Sequence, residues 1–313
     1  MPLKKYWKNT ESLKFGAELD VLIWNIGYGG LGKDSDFFMD GGENVKSADK
    51  HTVEMNLDAM AQTVNKLQPD ILMLQEVDSN SFRSYGIDQR ESFTFGDSSY
   101  ALNYACDFVP FPLPPIGKVN SGVMTSSLYS TASAERHALP CPFSWPVSAA
   151  NLKRCLLVSY LPIEGSDKQL VMINLHLEAY DDGEGKIAQT NQLRELMLKE
   201  YEKGNYVIAG GDFNQSFPNS LDVYPNTHPE IWVPGILDNS LLPEAWCYGY
   251  DLIAPSCRLL NQPYDRSDPE NTQYYVIDGY ILSPNVELMA VETYNLDFEF
   301  SDHNPVCLKV KLK

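Results

Sequence analysis

The stretch YVIAGGDFN, residues 206–214, decides the fold. It begins with an apolar run whose length and composition are typical of a buried β-strand. Two glycines follow, and Asp212 and Asn214 then stand where the strand would end. On its own this arrangement is also typical of a glycine turn between a strand and a loop. Other strands that end in polar residues would instead indicate a site shared between them.

Eight further apolar runs are typical of buried strands. They are DVLIWNI (20–26), DILMLQEV (70–77), SGVMTSSLYS (121–130), CLLVSYLPI (155–163), QLVMINLHL (169–177), YYVIDGYIL (274–282), VELMAVETY (286–294) and PVCLKVKL (305–312). Apolar residues at helical spacing predict helices over 51–67 and 187–203, which Pro69 and Gly204 would end. Because these elements are interspersed without a low-complexity linker or a repeat, the sequence predicts one α/β domain over residues 1–313.

Two stretches are predicted to be irregular. Residues 78–120 end in the proline-rich segment FVPFPLPPIGK, and residues 214–272 are rich in proline, asparagine and aromatic residues. Long ordered loops in compact domains are often functional. We therefore expect both stretches to contribute to the rim of a pocket.

The charge of the chain bears on its partners. Forty-two acidic and 24 basic residues give a formal net charge of −18, which opposes the binding of a long polyanion such as nucleic acid. A small phosphate ester remains compatible with this charge, especially where a metal supplies positive charge. The sequence has no apolar run long enough to span a membrane and no secretory signal at its N-terminus, so a cytoplasmic location is expected. Nothing in it indicates an oligomeric state.

Polar residues interrupt or follow several of the apolar runs, where an unpaired buried charge would cost several kcal/mol. They are Asn25, Glu76, His176, Asp212, Asn214, Asp278, Asp302 and His303. Each has an ordinary alternative explanation, such as a turn, an exposed strand end or, for His176, a hydrogen-bonded core histidine. Together they predict that the strand ends converge on one cleft.

The residue types indicate metal-assisted chemistry on phosphate. Glu76 and Asp302 are hard oxygen donors and Asn25 adds an amide oxygen, a set that suits Mg²⁺ or Mn²⁺ better than zinc. Asp212 can take a proton from an attacking water, and Asn214 can orient that water or the phosphate.

The histidines complete this prediction. His176 and His303, when protonated, can donate to non-bridging phosphate oxygens. Asp278 can hold the imidazole of His303 and raise its pKa. The predicted reaction is in-line hydrolysis of a phosphate ester without a covalent enzyme intermediate.

The order and spacing of these motifs resemble the endonuclease/exonuclease/phosphatase superfamily, in a bacterial-type branch. The matching segments lie between residues 21 and 306 and are WNIGYGG, ILMLQEVD, SGVMTSS, NLHLEAY, AGGDFNQ, VIDGYILS and SDHNPV. The resemblance implies a four-layer α/β/β/α sandwich of two mixed β-sheets flanked by helices, and a divalent-metal requirement.

The same resemblance implies a role for each residue. Asn25, Glu76 and Asp302 look like metal-site residues, and His176 resembles the phosphate-contacting histidine. Asp212 and Asn214 match the pair that activates and orients water, and Asp278 and His303 match the family's dyad.

Three functions stay open from the sequence. The first is a metal-dependent hydrolase of a small or lipid-like phosphate ester, since NLHLE is closer to the sphingomyelinase, phosphatase and deoxyribonuclease members than to abasic-site endonucleases. The second is a nuclease acting on DNA or RNA, which the acidic charge disfavours. The third is a non-catalytic binding module. The presence of all eight polar residues argues against it. The isolated bases Arg83, Lys118 and Arg154 could contact phosphate but are not assigned to the site.

Overall fold

Two β-sheets form the centre of the computed structural model, which describes residues 4–6, 10–143, 152–181 and 183–313. The strands β1 to β17 are Lys4–Tyr6, Glu18–Asn25, Ile71–Asp78, Asp97–Val109, Gly117–Ser127, Ser133–Ala138, Cys155–Pro162, Gln169–His176, Tyr206–Asp212, Gln215–Ser216, Gly235–Ile236, Cys247–Gly249, Cys257–Arg258, Tyr274–Tyr275, Asp278–Leu282, Val286–Thr293 and Val306–Leu312. The helices α1 to α4 are Lys50–Leu67, Arg90–Phe93, Glu184–Glu202 and Ser220–Val223.

The first sheet has seven strands in the order β1-β4-β5-β3-β2-β17-β16, and the second has six in the order β12-β15-β9-β8-β7-β6. Each sheet is mixed, because β2 and β3 pair in parallel in the first and β8 and β9 pair in parallel in the second. A parallel pair requires a crossover connection, and here α1 connects β2 to β3 and α3 connects β8 to β9.

Side chains alternate between the two faces of these strands, and each face packs on a different layer. In β2, Val21 and Ile23 lie in the core between the sheets, whereas Leu22 and Trp24 pack under α1. The same alternation in β8 divides its side chains between the inter-sheet core and a second core under α3. The predicted four-layer α/β/β/α sandwich is confirmed.

Both long helices lie where the sequence predicts them. Helix α1 begins after Asp49, whose Oδ1 accepts a hydrogen bond of 2.8 Å from the backbone N–H of Thr52. It ends at Leu67, two residues before Pro69. Helix α3 begins three residues earlier than predicted and ends one residue earlier. None of the helices among the described residues is both long and apolar enough to cross a bilayer.

The prediction that residues 78–120 are irregular is wrong for much of the stretch. Strand β4 runs for 13 residues and pairs with β5, which begins at Gly117. The start of β4 is rich in serine and has no apolar alternation, yet it is buried because hydroxyl groups such as that of Ser98 find partners, here Ser126 Oγ at 2.8 Å. The proline-rich segment at 110–116 is irregular, as predicted.

The single strand predicted over 274–282 is also wrong, because the chain changes partner in its middle. Strand β14 pairs with β13, and β15 pairs with β9. Between them, Val276 O and Ile277 O accept hydrogen bonds from the backbone N–H groups of Phe217 and Phe213. The predicted irregular stretch 214–272 contains short elements only.

Candidate active site

The eight polar residues predicted from the sequence meet at one end of the sandwich. Asn25, His176 and Asp212 are the last residues of β2, β8 and β9. Because the parallel pairs β2/β3 and β8/β9 end at this edge, their side chains face one cleft, the arrangement expected at the carboxyl ends of such strands. The cleft is a cavity of about 660 Å³. Seven of the eight line its wall, namely Asn25, Glu76, His176, Asp212, Asn214, Asp302 and His303.

The carboxylate of Asp212 is the centre of this cluster. Its Oδ2 lies 3.0 Å from Asn25 Nδ2, 3.4 Å from His176 Nε2 and 3.9 Å from His303 Nε2. Its Oδ1 accepts a hydrogen bond of 2.9 Å from the backbone N–H of Asn214. Groups from both sheets therefore converge on one oxygen atom.

Two glycines allow β9 to place Asp212 in the cleft. Gly211 has a φ of +143°, and a Cβ at this position would lie 2.1 Å from the carbonyl oxygen of Leu175 on the neighbouring strand. A Cβ on Gly210 would lie 2.5 Å from the ring of Tyr280 on the other side. The glycine pair that precedes Asp212 is therefore required by the close approach of β8 and β15.

A β-bulge places Glu76 in the cleft. The pairing of β3 with β5 shifts register between Leu74 and Val77, and Glu76 has a φ of +55°. Bulges of this kind redirect a side chain and occur next to active sites. The Oε1 atom of Glu76 lies 3.4 Å from Asn25 Nδ2.

Asp278 and His303 form a buried pair behind the cleft. Asp278 Oδ2 lies 2.8 Å from His303 Nδ1 and also accepts a hydrogen bond of 2.8 Å from Ser256 Oγ. On the other side, Trp24 Nε1 donates to the carbonyl oxygen of His303 at 2.8 Å. Asp278 and Asp212 are directly opposite each other on the paired strands β15 and β9. The sheet therefore places the partner of His303 next to Asp212.

Burial sets the protonation of these groups. It raises the pKa of Asp212 to about 7, and the charge of Asp278 adds to the rise. It also raises the pKa of Asp302 to about 6, an effect that His303 opposes and Glu76 reinforces.

The two histidines respond in opposite directions. Burial lowers the pKa of His176 well below its ordinary value, so its imidazole is uncharged at neutral pH. Burial alone would also lower the pKa of His303, but the adjacent carboxylates, Asp278 foremost, raise it well above its ordinary value. The protonated imidazole that the sequence predicted at both histidines is thus favoured at His303 only.

The residues expected at a metal site fit a hard cation in part. Glu76 and Asp302 present carboxylates to the same cleft, and their mutual repulsion would be relieved by a divalent ion. Asn25 presents its amide nitrogen to Glu76, while its Oδ1 accepts from the N–H of Gly27 at 3.1 Å. A ligand role for Asn25 therefore needs the opposite orientation of its amide.

Three arginines that the sequence did not assign to the site lie in its wall, namely Arg83, Arg154 and Arg258. Arg83 makes two hydrogen bonds to Asp78, of 3.1 and 3.0 Å. Arg154 donates to Glu178 Oε2 at 3.3 Å and to the carbonyl oxygen of His176 at 3.1 Å. Lys118 is not among the lining residues. Ser256, which holds Asp278, was missed because an isolated serine in a loop carries no sequence pattern.

A sequence model of the endonuclease/exonuclease/phosphatase family matches residues 22–303, and the chain belongs to this family. The family includes phosphoesterases and nucleases that hydrolyse phosphate esters. No curated relative matches the sequence.

Several solved structures share the fold. An endonuclease/exonuclease/phosphatase from Beutenbergia cavernae is 17% identical with a TM-score of 0.62, covering 94% of this chain and 72% of that one. The 2′,3′-cyclic phosphatase ANGEL2, in complex with adenosine-2′,3′-vanadate, is 15% identical with a TM-score of 0.59, covering 100% and 99%. The human nocturnin catalytic domain with bound sulfate is 16% identical with a TM-score of 0.56, covering 96% and 97%. At these identities the likeness concerns the fold.

Proposed function

We propose that this chain is a divalent-metal-dependent hydrolase of phosphate esters in which an activated water attacks phosphorus in line with the leaving group. The observation that carries the proposal is the convergence of Asn25, His176 and His303 on Asp212 Oδ2. Membership of the family supports it. The proposal takes residues 1–313 as one domain and retains the cytoplasmic location expected from the sequence.

Asp212 is the proposed general base. A base is most effective when its pKa lies near the working pH, and burial brings that of Asp212 to about 7. Asn214 holds the Oδ1 atom through its backbone N–H. Oδ2, which accepts from Asn25 Nδ2 and faces both histidines, is the oxygen proposed to accept the proton of the attacking water.

The histidines are proposed to bind the phosphoryl group. His303, charged and oriented by Asp278, would stabilise negative charge on a non-bridging oxygen as it develops. His176, uncharged, would donate a neutral hydrogen bond from Nε2, the atom that faces Asp212.

Glu76 and Asp302 are the proposed holders of Mg²⁺ or Mn²⁺. Asn25 would be a third ligand in the turned orientation of its amide, which brings its oxygen to the ion and gives up the Nδ2 hydrogen bond to Asp212 Oδ2. The bound ion would polarise a phosphoryl oxygen and stabilise charge on the leaving group. The buried carboxylate of Asp302 and the half-buried carboxylate of Glu76, of like charge in one cleft, support this assignment.

The proposed substrate is a small or lipid-like phosphate ester. A nuclease activity is the alternative. The structural likeness to ANGEL2, solved in complex with adenosine-2′,3′-vanadate, supports testing a nucleotide ester as a substrate. The net charge of −18 argues against a long nucleic acid.

Hydrolysis of bis-p-nitrophenyl phosphate and p-nitrophenyl phosphate tests the proposal. We expect turnover with Mg²⁺ or Mn²⁺, loss of turnover in EDTA, and recovery when excess Mg²⁺ is added back. Turnover that survives exhaustive chelation would contradict the metal assignment. A folded protein that hydrolyses neither ester, nor plasmid DNA, nor RNA would instead support a binding module.

A further inference from the structure

The cavity that holds the polar cluster has an apolar mouth. Five large side chains from four segments of the chain form it, and we call this set the apolar rim: Phe38, Met39, Phe111, Tyr180 and Trp232. Phe111 is 70% exposed, Met39 44% and Tyr180 41%. Large apolar groups exposed together beside a polar floor are typical of a ligand-binding surface.

The rim is an ordered structure. The rings of Phe38 and Phe111, from the segments before α1 and after β4, meet edge to face with centroids 6.5 Å apart. Tyr180 donates from its hydroxyl to Asp40 Oδ1 at 3.0 Å, and Trp232 donates from Nε1 to the carbonyl oxygen of Ala179 at 2.9 Å. Because both polar groups are engaged within the protein, the rim presents mainly apolar surface to a ligand.

Among the described residues that line it, the cavity offers no lysine and no arginine without partners inside the protein. Arg83 is paired with Asp78 and Arg154 with Glu178, and Arg258 donates to four backbone carbonyl groups. Binding a second phosphate group, or successive phosphates of a nucleic acid, relies on such cations. The wall therefore suits a ligand with a single phosphate.

We infer that the substrate carries one phosphate group and an extended alkyl or acyl chain, with the phosphate on the polar floor and the chain along the apolar rim. The inference rests on the proposed function of the same site and narrows its substrate class. It excludes inositol polyphosphates and nucleic acids as preferred substrates. The rim could stack a nucleobase, but the polar groups of Tyr180 and Trp232 are already bonded and would not read its edge.

Calorimetric titration with methyl, butyl and octyl phosphate in the presence of Mg²⁺ tests the inference, each ligand being kept below its micelle concentration. The titration uses the full chain carrying Asp212→Asn, in which hydrolysis of these esters should be roughly 10²- to 10⁴-fold slower, and the hydrolysis assay uses the unsubstituted chain. We expect affinity to rise roughly three- to fourfold for each methylene that the rim buries. Equal affinities for the three ligands would overturn the chain subsite while leaving the hydrolase proposal intact. Hydrolysis of bis-p-nitrophenyl phosphate, measured in parallel, reports on the hydrolase proposal separately.

A pair of phenylalanine variants locates the subsite. Phe111→Ala should weaken octyl phosphate binding roughly tenfold and leave methyl phosphate binding unchanged. Phe108→Ala is the matched control, because Phe108, near the end of β4 and three residues before Phe111, is 60% exposed but does not line the cavity; this variant should change neither affinity. Equal losses in the two variants would overturn the rim as the site of chain binding.

Two further ligands complete the test. Adenosine monophosphate and inorganic tripolyphosphate should each bind more weakly than octyl phosphate. Tighter binding of the nucleotide would show that the rim prefers a nucleobase to an alkyl chain. Tighter binding of tripolyphosphate would show that the cavity accepts several phosphates. Either result would overturn the inference.

Discussion

His303 Nδ1 and Asp278 Oδ2 lie 2.8 Å apart in a buried pair that Ser256 supports from the opposite side. The pairing fixes which nitrogen of the imidazole faces the cleft, since Nδ1 is engaged and Nε2 points toward Asp212. It also makes the charged form of His303 the favoured one, because the carboxylate outweighs the effect of burial on its pKa. The two residues therefore form one hydrogen-bonded unit.

The first prediction follows from this unit. His303→Ala and Asp278→Ala should each lower kcat roughly 10²-fold or more, because each variant removes the oriented cation. The double variant should lose little beyond the larger single loss. A double-mutant cycle on kcat measures this, and two losses that multiply would show that the residues act independently.

Asp212→Asn should lower kcat by roughly 10² to 10⁴, the range for a lost general base. Asparagine has the same shape, and its oxygen can still accept the N–H of Asn214. Its amide nitrogen then faces Asn25, whose own amide has to turn to accept from it. Steady-state kinetics gives the effect, and thermal unfolding of the variant serves as the control for folding. A rate near that of the parent protein would remove Asp212 from the proposed role.

Glu76→Gln should weaken binding of the divalent cation by at least about tenfold, since it removes one of two carboxylate charges. Activity as a function of Mg²⁺ concentration and direct Mn²⁺ binding by electron paramagnetic resonance both report it. Glu178→Gln is the matched control: this carboxylate lines the same cavity but is paired with Arg154. An identical metal dependence in both variants would contradict the assignment of Glu76.

The strands around the site were predictable because burial on both faces leaves continuous apolar runs. Polar residues such as Glu76 and His176 stand out against those runs, which is why the sequence indicated a shared cleft. The start of β4 was not predictable, since its buried side chains include serines, such as Ser98, whose partners come from another strand. Where serine hydroxyl groups take interior positions, the alternation of apolar and polar residues that predicts a strand is absent.

The supporting residues of the site were beyond sequence reasoning for a related reason. Ser256 supports Asp278 from a position 22 residues away, and a contact between residues so far apart leaves no local pattern. The apolar rim shows the same limit. Phe111 and Trp232 are far apart in the chain, and only the fold brings them to one cavity.

The raised pKa of Asp40, beside the apolar rim, predicts how the stability of the protein changes with pH. Burial raises its pKa to about 7; Asp302 and Glu76 add to the rise, while the Tyr180 hydrogen bond and His303 oppose it. The ordinary pKa of an aspartate in an unfolded chain is about 3.9. The folded state thus holds this proton more tightly, and the stability it contributes is present at low pH and is lost as pH rises from about 4 to about 7.

Asp40→Asn should therefore raise the Tm relative to the parent protein at about pH 8, with a smaller difference at about pH 4. Asparagine keeps an oxygen that can accept the Tyr180 hydroxyl. Thermal unfolding in EDTA across this range measures the effect without a bound metal. Asp34→Asn, at an exposed position six residues earlier, should give no such trend; a difference for Asp40→Asn that is constant with pH would contradict the raised pKa.

Gly211→Ala should destabilise the fold and disturb the site together. The new methyl group would meet the carbonyl oxygen of Leu175 at 2.1 Å in a backbone conformation with φ of +143°, so β8 and β9 would have to separate next to Asp212. Gly16→Ala is the matched control, because Gly16 also has a positive φ, +72°, but has open space around its Cβ position. The control carries the conformational cost alone, about 1 kcal/mol.

Urea unfolding should accordingly give a loss for Gly211→Ala that exceeds the Gly16→Ala loss by about 1–3 kcal/mol. Turnover should fall in the first variant and stay unchanged in the second, because only Gly211 adjoins the proposed base. Equal losses of stability in the two variants would mean that β8 and β9 can separate at little cost. The close approach of these strands would then not be what fixes Asp212 in the cleft.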